Sequence, residues 1–178
     1  LSRGLGDVYK RQISQAYMMI GMLGPGANKA KDTYPLDVAM MNLGMGKSSR
    51  LYQHLKEDQN LFTSIRAGNM TQKYSGLLFV SGAIKPENIA EGIEKVIDEM
   101  RTLKAEGITR EELSKTKTQT IKDFVFSQES TQGIAINIGY NVTIATLKDY
   151  TNYVSNIQKV SLQEVKAKLN QYLQLDKA

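Results

Sequence analysis

The chain has 178 residues, 41% of them apolar, with 23 lysines and arginines against 18 acids for a formal charge of +5. That length suits one ordinary domain with a sizeable core, and a charge so mild and evenly spread is not the footprint of a nucleic-acid binder. With no cysteine and a single histidine, His54, the chain alone cannot build a disulfide framework, a thiolate nucleophile or a metal site needing two histidines. No apolar run reaches the ~18 residues of a membrane span.

Leu1 to Gln12 (LSRGLGDVYKRQ) has no apolar stretch and no small-residue cleavage site, so it is not a signal peptide. Ser2 to Gln12 resembles the in-frame translation of a transposase adapter used in sequencing libraries, and residues 1–12 are set aside from the fold argument as a sequence artefact. Without them the charge falls to +3, because Arg3, Lys10 and Arg11 leave with Asp7. Residues 13–178 are then expected to be one domain, shortened at both ends relative to its parent protein, with a sheet edge or apolar patch exposed at the C-terminal side.

From Ile13 to Met22, Ala16, Met18, Ile20 and Met22 alternate as in a strand, which Gly24-Pro25-Gly26 is expected to end. Leu36, Ala39, Met40 and Leu43 follow a helical stripe that Gly44 and Gly46 stop. Ser48 is positioned to cap a short second helix carrying Leu51, Tyr52 and Leu55. The period then changes to two. Leu61, Thr63, Ile65 and Ala67 share one face of a strand, and a turn at Gln72 to Ser75 leads to a second, Gly76 to Ile84, as an antiparallel hairpin.

The second half is helical. Pro86 stands at a helix start, and Ile89, Ile93, Val96, Ile97, Met100 and Leu103 mark one face as far as Gly107. Thr109-Arg110-Glu111-Glu112 is a capping box opening a helix that carries Leu113, Ile121, Phe124 and Val125. Further helices are expected between Ser130 and Ile157. A second capping box, Ser161 to Glu164, opens a last helix with Val165, Leu169 and Tyr172.

Three features invite a chemical reading. Gly44-Met45-Gly46-Lys47-Ser48 resembles a phosphate loop, but the motif needs a glycine where Met41 stands and a strand where the stripe is helical. His54 has Glu57 and Asp58 one helical turn away, a spacing equally that of a solvated charge cluster, and reads as a half-exposed surface histidine. Lys115, Lys117 and Lys122 alternate with Glu111, Glu112 and Asp123, a solvated face without an aromatic platform for bases.

The order of local words is more specific. Asp32 to Leu55, then Leu61 to Ala67, Lys85-Pro86-Glu87-Asn88, Gly107 to Leu113 with Lys117, and Val160 to Val165 resemble the second structural domain of the insulinase/pitrilysin family, to which mitochondrial processing peptidase also belongs. The most telling pieces are the glycine break before Ser48-Ser49-Arg50-Leu51 and the Gly-x-Thr-x-Glu-Glu-Leu helix start. The resemblance implies an α+β domain of the metallopeptidase LuxS/MPP-like type, an antiparallel sheet with helices packed on one face.

It also implies a division of labour. In the family a preceding homologous domain or subunit bears a His-x-x-Glu-His helix that holds zinc and supplies the general base. This chain, with one histidine, is expected to be the non-catalytic, substrate-enclosing partner acting on unfolded peptides, inactive alone, with no cofactor of its own and zinc in the missing half. The alternatives are a scaffold or assembly subunit of the same fold that has lost proteolysis, and a binding domain unrelated to it. Arg50, Lys56 and Thr63 are the expected substrate-facing residues, with no catalytic or metal residue. At the last two positions some family copies carry an arginine and a tyrosine that reach the substrate. Lysine lacks the planar fork, and threonine lacks the reach of a phenol.

Overall fold

The computed structural model describes residues 15–175. Residues 1–12, read as an artefact, and Ile13 at the head of the first predicted strand lie outside the described residues.

Three strands, β1 (Ala16–Pro25), β2 (Phe62–Thr71) and β3 (Ser75–Ile84), form an antiparallel sheet in the order β1-β3-β2. The hairpin expected from the change of period is β2–β3, with Thr71 opposite Gly76. The expected turn at Gly24-Pro25 is not one: β1 runs through it, Gly24 pairing with Gly76 and Pro25 with Ser75. Proline is tolerated there because it ends an edge strand, where a missing N–H breaks no interior ladder.

One face of the sheet is buried and the other is not. Met18 and Met22 of β1, Ile65 and Ala67 of β2, and Leu78 and Val80 of β3 point into the core. Opposite them Tyr17, Met19 and Leu23 are exposed, with Met70 beside them on β2. Thr63 departs from the simple alternation. A β-bulge between Phe62 and Ser64 leaves Thr63 unpaired in the register; the strand is reset, so that Phe62 and not Thr63 joins Ile65 and Ala67 inside.

The helices α1 (Ala30–Gly44), α2 (Ile89–Glu106) and α7 (Leu162–Tyr172) pack on the buried face. Leu36, Met40 and Leu43 of α1, Val96, Met100 and Leu103 of α2, and Val165 and Leu169 of α7 complete the core. Asp32 fastens α1 to α7, accepting from Lys168 and Tyr172, each at 2.7 Å. The chain is thus an α+β domain with helices on one face of an antiparallel sheet.

Between α1 and β2 a helical turn passes into a π-type segment, Tyr52–Asp58. No side chain caps that segment; Ser49, rather than Ser48, turns back, donating to the Gly46 carbonyl at 2.7 Å. The outer helices are α3 (Arg110–Phe126), α4 (Thr131–Ile144), α5 (Leu147–Thr151) and α6 (Tyr153–Lys159). Both expected capping boxes form, at Thr109/Glu112 and Ser161/Glu164, and a third forms at Thr146/Asp149.

On α3, Leu113 and Ile121 pack against the core as expected, with the buried Thr116 and Thr120 beside them, while Val125 is exposed. Small threonines let α3 lie close against α1, and the last turns extend beyond that contact. Phe124 is held by aromatic neighbours, its ring centroid 4.9 Å from that of Tyr153 and 5.4 Å from that of Tyr150. Helix α4 has no charged residue and buries none of its side chains, leaving Ile134, Ile136 and Val142 exposed.

Candidate functional site

The glycine break after α1 brings Arg50 against the start of α3. Arg50 Nε donates to Glu112 Oε1 and Nη2 to Glu112 Oε2, both at 2.7 Å, and Nη2 also reaches the Gly107 carbonyl at 3.1 Å. The fork of a guanidinium matches a carboxylate in this two-bond geometry. The hydrogen bond from Arg50 holds the Glu112 carboxyl down at about 2, against the opposing effect of burial, with help from the Thr109 N–H. Arg50 is therefore a clasp joining the loop, the helix end at Gly107 and the capping box.

Lys56 and Thr63, the other two expected substrate-facing residues, sit elsewhere along the same stretch. The Lys56 ammonium lies 4.8 Å from the centroid of the Tyr52 ring, and the Thr63 hydroxyl donates to the Ala83 carbonyl at 3.0 Å across the bulge. The three residues do not converge on one pocket, and none of them lines the cavity beside α1. His54 is 48% exposed, and its partner is neither Glu57 nor Asp58: Nδ1 meets Glu99 Oε1 of α2 at 2.7 Å.

A zinc ion does not fit this donor set. Among the described residues no group of three or more histidine, cysteine, aspartate and glutamate side chains comes together. The one histidine is bound to a single carboxylate.

A cavity of about 490 Å³ lies between α1, β2 and the α4–α6 helices. Asp37 stands in its wall. Its oxygens accept from Asn69 Nδ2 at 2.8 Å and from Tyr153 Oη at 3.1 Å. Burial outweighs both hydrogen bonds and pushes the carboxyl up to about 7. Neither Asp37 nor the cavity was singled out in the sequence. The one available signal was an acid set next to Leu36 in the apolar stripe of α1, and its partners Asn69 and Tyr153 lie 32 and 116 positions away.

A sequence profile described as the Peptidase M16 inactive domain matches residues 5–120. The chain belongs to that family. Among the relatives of this M16 inactive domain is an uncharacterized zinc protease of Bacillus subtilis, YmxG, 28% identical over 157 residues, covering 88% of this chain and 38% of the relative. A protease from Helicobacter pylori superposes with a TM-score of 0.81 at 26% identity, over 94% of this chain and 40% of that one. The peptidase M16 inactive domain from Pseudomonas fluorescens shares the fold, with a TM-score of 0.79 at 22% identity over 93% of this chain and 40% of that one. The M16 domain described here thus spans about two-fifths of the length of such proteins. Among the described residues no helix is long and apolar enough to cross a membrane.

Proposed function

We propose that this M16 inactive domain is the substrate-enclosing, non-catalytic half of a zinc-dependent metallopeptidase. It works beside a preceding homologous domain or subunit that holds the zinc and performs the chemistry on unfolded peptides. The observation that supports this most directly is the donor set: a family of zinc proteases is represented here by a stretch whose only histidine is tied to Glu99. Within this reading Lys56 and Thr63 face the peptide. Arg50 acts on the same side by holding the loop that leads to Lys56, because its own donors are engaged by Glu112 and Gly107.

The test is reconstitution. The zinc-bearing half of the parent protein, with and without this domain, is assayed on an unfolded peptide carrying a fluorophore and quencher. Cleavage is expected only from the combination. Equal cleavage by the zinc-bearing half alone, stoichiometric zinc on this domain, or an inactive but stable pair would sink the proposal, the last favouring a scaffold that has lost proteolysis.

A further inference from the structure

The cavity beside α1 has features that the peptidase reading leaves unused. Its volume of about 490 Å³ is in the range that encloses a whole small molecule. Its walls are mostly aliphatic and aromatic, and the charged residues among its lining are Asp37 and Asp149, with no lysine or arginine, in a chain of net charge +5. Each Asp37 oxygen takes one hydrogen bond and has a lone pair to spare.

We propose that this cavity binds a small organic ammonium, a primary amine on a short apolar stem, with its charge on Asp37 and its stem against Met41 and Ile144. An ammonium has three donors and no acceptor, which suits a carboxylate with lone pairs to spare. Tyr34 and Tyr140 also line the cavity, and aromatic rings attract cations. An anion would meet two carboxylates, and a neutral alcohol would leave Asp37 without a counter-charge. The proposal is independent of the peptidase reading, since Arg50, Lys56 and Thr63 do not line the cavity.

A proton is linked to this binding. The ammonium requires the ionised carboxylate, and Asp37 titrates at about 7. The other titratable groups facing the cavity are Asp149 of α5 and Tyr34, Tyr140 and Tyr153 of α1, α4 and α6. Of these, burial pushes Tyr34 and Tyr153 above their ordinary range. Affinity then rises about tenfold between pH 6 and 8, following the ionised fraction of Asp37.

Isothermal titration calorimetry on the 178-residue chain tests this with butylammonium, hexylammonium and 2-phenylethylammonium, and with 2-phenylethanol and 3-phenylpropionate as neutral and anionic counterparts. The expected result is saturable binding of at least one amine. Of the phenyl compounds, the amine binds at least tenfold more tightly than the alcohol, and the carboxylate does not bind. Asp37→Asn should erase the preference for the cation. Ile144→Trp fills the cavity while keeping the carboxyl, so it should abolish binding, and it carries the test if Asp37→Asn does not fold. No saturable binding by any amine, equal affinity for the phenyl amine and alcohol, a cation preference that survives Asp37→Asn, or binding untouched by Ile144→Trp would overturn the proposal.

Discussion

Arg50 and Glu112 lie 62 positions apart and meet through two parallel hydrogen bonds of 2.7 Å. The same carboxylate closes the capping box by accepting from the Thr109 N–H at 2.8 Å, so one side chain both starts α3 and anchors the loop after α1. The two side chains are 14% and 24% exposed, which limits solvent screening of the pair. Glu112 is held at about 2, below its ordinary 4.5, so the unfolded chain binds more protons between those values. Its contribution, on the order of 3 kcal/mol, is therefore complete above pH 4.5 and lost as pH falls towards 2. Urea denaturation at pH 6 should show Glu112→Gln destabilised by roughly 2–3 kcal/mol, with the gap to wild type closing by pH 2. A gap that does not change with pH would mean the pair is not what holds this corner.

Asp37 carries the opposite sign. Burial raises its carboxyl to about 7 from 3.8, so the folded state binds more protons between those values. Stability is full below about pH 4 and declines as pH rises through 7. Together with Glu112 this places maximum stability on the acid side of neutrality. Asp37→Asn should flatten the decline, gaining relative to wild type as pH goes from 5 to 8. Melting temperatures across that range check it; parallel curves for the two proteins would show that Asp37 is ionised throughout.

Much of this fold was legible because local chemistry and tertiary packing agree. The stripe of α2, the hairpin and the two capping boxes are short-range signals, and each appears where residue spacing puts it. Thr63 was misplaced because a bulge inserts one residue into a period of two, and nothing in Leu61 to Ala67 announces it. On helix α3, Leu113 and Ile121 pack against the core as its apolar residues suggest, but its buried residues, Thr116 and Thr120, are small and polar and no apolar stripe reveals them. The pairing of Asp37 with Asn69 and Tyr153 was invisible for a related reason. It depends on three elements brought together only by the finished packing.

Gly44 shows how a correct boundary can rest on a different cause. It is the last residue of α1, as its position before the break suggests, yet the positive φ in this loop belongs to Gly46, at 81°. A Cβ on Gly44 would lie 2.3 Å from the Ala67 backbone nitrogen and 2.6 Å from the Ala67 Cβ. The residue is small because α1 crosses the backbone of β2 there. Overpacking of this kind costs about 1–3 kcal/mol, and a backbone atom cannot swing aside as a side chain can. Gly44→Ala should lower stability by that amount in urea denaturation, while Gly46→Ala, with open space around its Cβ but a left-handed backbone, should cost about 1 kcal/mol. If Gly44→Ala is neutral, the close approach of α1 to β2 is wrong.

Lys56 and Thr63 test the division of labour between the two halves of the proposed peptidase. Lys56 rests over the Tyr52 ring and Thr63 is bonded across its own bulge to Ala83, so neither is held in a rigid array aimed at a reacting carbonyl. If this half encloses peptide without touching the transition state, removing either side chain alters substrate affinity and leaves the chemical step alone, since only interactions stronger in the transition state raise kcat. In the complete protein, Lys56→Ala should raise KM a few-fold with kcat nearly unchanged, and Lys56→Arg with Thr63→Tyr should leave turnover within about twofold. A tenfold loss of kcat in Lys56→Ala would correspond to about 1.4 kcal/mol of transition-state stabilisation. That result would place Lys56 in the reaction itself, and this half would no longer be a bystander to the chemistry.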